Sequence, residues 1–187
     1  MADKKKSKVT QADLYARYGE FDSVEEINAK AKELKAAGDF EGVRTLASEN
    51  GQDPEEAEDF INGDIPELFF GIDPDRTAIN CALCKLNNEE QSMEPQELIE
   101  DWIDYIRFMT NEDPTFARQV RKKGKSLAGA IAALLKWSFA HQWDVPRQIM
   151  QAAGVNVGKC TLGVPGMRTA KAIMQKYYNG VGEGNVG

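Results

Sequence analysis

Histidine is almost missing from this 187-residue sequence, which holds one, His141, beside three cysteines. One imidazole leaves little room for the acid–base and nucleophilic arrangements built on histidine. Three cysteines are too few, and odd in number, for a disulfide-stapled secreted fold, so they read as thiols or metal ligands. No apolar run approaches the roughly 18 residues that span a bilayer, and the lysine-rich start MADKKKSK continues into polar sequence where a signal peptide would turn apolar. The expectation is a cytoplasmic protein with no membrane segment. Glycine and proline follow no repeat, and the period-two alternation of half-buried strands is nearly absent.

A hydrophobic fraction of 42% and a charged fraction of 28% are those of a globular chain, long enough for one compact domain or two small ones. Net charge is −7, but it is unevenly laid out. Residues 1–48 hold nine acids and nine bases, residues 49–113 nineteen acids and three bases, and residues 114–187 two acids and eleven bases. As separate patches, the middle segment repels nucleic acid and attracts basic surfaces, and the last segment does the reverse. Folded against each other, they neutralise.

Start and stop signals predict an all-α fold. Thr10 can cap a helix over residues 11–18. Ser23 and Glu26 form a capping box for a helix from Val24 to Ala37, stopped at Gly38. Asp39 starts a third helix, with Phe40, Val43 and Leu46 on one face, which ends at Asn50-Gly51. Asp53-Pro54 opens a fourth, ending at Asn62-Gly63. A helix follows with Leu98, Ile99, Trp102, Ile106 and Met109 at helical spacing. Asp113-Pro114 starts a basic helix ending at Gly124. Ser126 leads into the most apolar helix, read as core through Leu127, Ile131, Leu134, Leu135 and Phe139. A short helix runs from Asp144 and Pro146 to Gly154, and the last covers Met167 to Tyr178. The resulting organisation is a disordered basic tail (1–9), an N-terminal module of short helices (10–63), a connector (64–95) punctuated by Pro66, Gly71, Pro74 and Pro95, a C-terminal helical domain (96–180) and a flexible tail (181–187).

Several motifs carry two readings. Cys81, Cys84, Cys160 and His141 supply the ligand set of a Cys3His zinc site, while INCALCKL reads equally as an apolar helix with small buried thiols. Gly124-Lys125-Ser126 ends like a phosphate-binding loop, but Gln119 stands where that loop needs glycine. Gly182-x-Gly184-x-x-Gly187 lacks the strand and helix a dinucleotide site needs. Arg118, Arg121, Lys122, Lys123 and Lys125 form the densest basic cluster. It suits phosphates, and it equally suits the negative end of a helix macrodipole. Val145 to Ala172 loosely suggests a helix-turn-helix with an overlong loop. The expectation is a non-enzymatic binding protein with no metal and no cofactor.

Three strings carry a family resemblance: residues 43–68 (VRTLASENGQDPEEAEDFINGDIPEL), 101–139 (DWIDYIRFMTNEDPTFARQVRKKGKSLAGAIAALLKWSF) and 164–178 (VPGMRTAKAIMQKYY). They resemble small proteins of Firmicutes conjugative elements. The second and third are similar to the PcfK-like family in Thr115-Phe116-Ala117, Lys125-Ser126 and Tyr177-Tyr178, with Met167 and Arg168 in place of the acids usual before that family's last helix. Since proteins of this mobile-element class include anti-CRISPR inhibitors of Cas9, the resemblance implies a protein that shields incoming DNA from host defence. Cas9 holds nucleic acid in positively charged channels, which an acidic helical surface can occupy. The contacts expected on that basis are Glu55, Glu56, Glu58, Asp59, Glu97, Glu100, Asp101 and Asp104 on basic protein surface. Arg118, Arg121, Lys122, Lys123 and Lys125 would touch guide RNA or DNA. The alternative is a DNA-binding accessory or regulatory protein of a conjugative element, acting through the basic C-terminal segment.

Overall fold

A computed structural model describes residues 17, 18, 20–71, 73–156 and 158–180. The helix expected over residues 11–18, save Arg17 and Tyr18, lies outside the described residues. So do both terminal tails and the Gly182–Gly187 motif. The all-α expectation holds: the described residues form nine helices and one pair of two-residue strands. The order is α1 (Val24–Ala36), α2 (Phe40–Glu49), α3 (Pro54–Asn62), α4 (Pro74–Met93), α5 (Leu98–Glu112), α6 (Pro114–Arg121), α7 (Leu127–Ala140), β1 (Trp143–Asp144), α8 (Arg147–Ala152), β2 (Thr161–Leu162) and α9 (Met167–Asn179). None is long and apolar enough to cross a membrane.

Capping fixes most of the helix starts. Ser23 Oγ accepts from the Glu26 N–H at 3.3 Å, while the Glu26 carboxylate returns to the Asp22 N–H at 3.1 Å, so the capping box closes one residue early. Asp53, Asp73 and Asp113 each precede a proline and accept from a first-turn N–H at 2.8, 2.7 and 2.8 Å. Gly38 (φ 73°) and Gly63 (φ 93°) stop α1 and α3 in the left-handed region.

The chain divides into two compact units, residues 1–127 and 128–187. This differs from the expected boundaries at 63 and 95. In the first unit, α1–α3 enclose one apolar cluster that includes Ile27, Leu34, Val43, Leu46, Phe60 and Leu68. Alongside it α4 packs on α6 and α5. Residues 74–93, expected within a connector, are one unbroken 20-residue helix, the longest described. In the second unit β1 pairs antiparallel with β2, Trp143 opposite Leu162 and Asp144 opposite Thr161. The excursion between the strands carries α8, so α8 and α9 are separated by β2 and lack the short turn of a helix-turn-helix. Only Leu127, Ala130 and Leu134 of α7 are buried. Leu135 and Phe139, expected in the core, are 52% and 72% exposed.

Candidate binding surfaces

Helix α5 presents the clearest acidic surface. Trp102, Ile103, Ile106 and Thr110 are buried, which turns positions 101, 104 and 108 outward at the i, i+3, i+7 spacing of one face. Glu97, Glu100, Asp101 and Asp104 are all exposed, and Asp104 has only a 3.8 Å ion pair with Arg107. Phe108, 59% exposed, stands on the same outer face as Asp101 and Asp104. The sequence reading missed it. Its signal was an aromatic side chain on the acidic side of the helical wheel. A large apolar group on the same face as acids suits a partner surface that is itself apolar and basic.

The acids of α3 are more engaged. Glu58 pairs with Arg44 through Nε at 2.5 Å and Nη2 at 3.0 Å. That hydrogen bond holds the Glu58 carboxyl below its usual range and raises the Arg44 guanidinium. Glu56 accepts from Gln52 Nε2 at 2.8 Å. Glu55 and Asp59 are exposed. Helix α3 packs on α2, and α5 packs on α4 and α6, so the two expected acidic sets sit on different subassemblies of the first unit.

The basic cluster is largely tied into the fold. Arg121 is only 3% exposed and its Nη2 donates to Asn50 Oδ1, so its guanidinium faces the interior and not a phosphate backbone. Arg118 is ion-paired with Asp75. The Lys123 N–H donates to Asp22 at 2.8 Å and its ammonium lies 3.4 Å from Glu26. Lys122 is exposed and Lys125 half-buried. The backbone carbonyls of both accept from Lys85 Nζ, at 3.3 and 2.6 Å. The 122–126 loop is thus lashed down by α4 and by the acids preceding α1.

Lys85 is the centre of that lashing. It is 1% exposed, on the α4 face that also carries Glu89 at 3%. Its ammonium stands 3.4 Å from Glu20 and 3.9 Å from Glu89, and burial holds it below the usual lysine range. Glu89 accepts the Leu127 N–H at 2.6 Å. Burial pushes its carboxyl up to about 7, against the opposing pull of that N–H and of Lys85.

Beside this lies a cleft of ≈ 490 Å³. Arg118, Arg121 and Lys122 contribute to its lining, as do Phe69, Phe70 and Pro74. Three of the five expected basic residues thus border one concavity, and none of the expected acids does.

Cys81 is buried and Cys84 half-buried, one turn apart on α4. Burial pushes the Cys81 thiol up to about 11 and raises that of Cys84, so both are held protonated at neutral pH. His141 and Cys160 belong to the second unit. The His141 ring stacks on Trp137 with centroids 4.4 Å apart, and Nδ1 donates to the Trp137 carbonyl at 2.9 Å. Among the described residues, no group of His, Cys, Asp and Glu is gathered to hold a metal ion. The chain matches no protein-family model, no curated protein and no solved structure.

Proposed function

We propose that this is a non-enzymatic inhibitory binding protein of the anti-CRISPR type, which engages Cas9 with its guide RNA and blocks target DNA binding or cleavage. The observation that supports it is the outer face of α5, where exposed Asp101 and Asp104 share one face with exposed Phe108. Such a strip is repelled by free nucleic acid and complements the basic channels in which an RNA-guided nuclease holds its strands. Occupying a channel blocks the target by exclusion and requires no chemistry. On this reading Phe108 is the apolar anchor, and the acids set the approach and the on-rate.

The test is a gel shift of labelled target DNA by catalytically dead Cas9 and guide RNA, with and without this protein. Loss of the ternary shift, restored by Asp101→Lys with Asp104→Lys, is the expected result. A ternary shift that wild-type protein leaves unchanged overturns the reading for the orthologue used.

A second reading is the DNA-binding accessory protein of a conjugative element. It is favoured by the exposed Lys136, Arg147 and Arg168 of the second unit, where residues 128–187 hold six bases and two acids. A direct shift of duplex DNA by the protein alone, falling steeply with salt, would decide for it.

A further inference from the structure

Helix α7 carries an apolar stripe on the side facing away from its buried residues. Leu127, Ala130 and Leu134 point inward. Ala128, Ala132, Leu135 and Phe139 are all exposed, at successive intervals of 4, 3 and 4 residues. That spacing is the seam of a helix pair, and it extends over about 16 Å of helix. The only charged side chain of α7 is Lys136, at the edge of the stripe.

The order of sizes along the stripe selects the occupant. Ala128 and Phe139 are equidistant from a point midway between residues 133 and 134, and so are Ala132 and Leu135. A two-fold axis through that point lays a second copy of α7 antiparallel on the first. Each Phe139 then meets the small Ala128 of the other copy, and each Leu135 meets Ala132. Large faces small at all four contacts, the condition for close approach of two helices. A surface complementary to itself in this way makes a closed, isologous pair.

We infer that the protein forms a symmetric dimer in solution through this face of α7. The inference is independent of the Cas9 reading. One 14-residue helix from each copy makes a small interface, so the dimer is a weak one that dissociates on dilution. It strengthens with salt, because salt screens the two Lys136 side chains and leaves the apolar contact intact.

Sedimentation velocity tests this on the full chain between about 1 µM and 500 µM, the range where small interfaces dissociate. The expected result is a rise from the 20.8 kDa monomer to twice that mass, with the midpoint moving to lower concentration in higher salt. Phe139→Glu moves the midpoint up by about tenfold or more. Ala128→Phe alone also weakens the pair, since two large residues then collide. Ala128→Phe with Phe139→Ala restores it, because large and small merely exchange places. Both positions are exposed, and helicity by circular dichroism confirms that each variant is folded. A monomer at every concentration overturns the inference, as does self-association unaffected by Phe139→Glu. Association that salt dissolves would assign the contact to the acidic unit of another copy, and a folded double variant that stays monomeric refutes the antiparallel register.

Discussion

Lys85 and Glu89 are charges placed where a sequence reader expects apolar side chains. They occupy inward positions of α4, and Lys85 trades water for two backbone carbonyls, the Glu20 carboxylate and the Glu89 carboxyl. Glu89 adds a pH dependence. With its carboxyl raised from 4.5 to about 7, it stays protonated in the folded chain while the unfolded chain ionises, so unfolding releases a proton in that window. The stability of wild type relative to Glu89→Gln therefore falls as pH rises from about 4.5 to about 7 and is flat above, measured as urea midpoints between pH 4 and pH 8. A difference that grows with pH would be the wrong sign. Gly51 is a second decisive residue. Its φ is +75°, and an added Cβ would lie 2.8 Å from Cys84 Cβ and 2.9 Å from its sulfur. Gly51→Ala should cost about 2–4 kcal/mol in a denaturant titration, from backbone strain and overpacking together. Asn50-Gly51 was legible as a helix stop, but the approach of α4 behind it was not, because that closeness comes from tertiary packing.

Among the elements, the helix starts were the most readable. Asp53-Pro54 and Asp113-Pro114 announced α3 and α6, and the same pair at Asp73-Pro74 opens α4. There the signal was passed over, since Pro66, Gly71, Pro74 and Pro95 made residues 64–95 read as a punctuated connector, although Pro74 opens an unbroken helix. Asp113 closes α5 and caps α6, so Asp113→Ala should lower stability by about 1 kcal/mol in a thermal melt, with the helices otherwise retained. Helix α7 taught the opposite lesson. Its composition is the most apolar in the chain, which suggested a core helix, yet one side is exposed. Composition reports how much apolar surface a helix carries and not what covers it. The candidate acids of α5 were legible from their periodicity alone. Arg121 was not, because the charge run around it gives no sign of which member turns inward toward Asn50.

For the whole molecule, the division at Leu127 and Ala128 sorts the charge less sharply than the sequence segments do, because the basic run 118–125 falls in the acidic unit. Residues 1–127 hold 28 acids and 17 bases, a net −11, and residues 128–187 a net +4. The second unit buries few large side chains, chiefly Leu134, Met174 and Tyr178, whereas the first has the α1–α3 cluster and the α4–α6 packing. Amide hydrogen exchange should accordingly show α4 as the slowest-exchanging helix and α8 with the β1–β2 pair among the fastest, separated by at least about tenfold in protection. Uniform protection through both units would contradict this.

The three tryptophans fall in three different settings. Trp102 is buried in the first unit, Trp143 is exposed in the second, and Trp137 lies flat against the imidazole of His141. The chain therefore carries its own optical labels. With Trp102 replaced by phenylalanine, the remaining emission comes from residues 128–187 alone. Replacing Trp137 and Trp143 instead leaves a signal from the acidic unit alone. Binding at α5 and pairing through α7 can then be followed separately, each in its own variant, by shifts in emission colour and intensity and without attaching a dye.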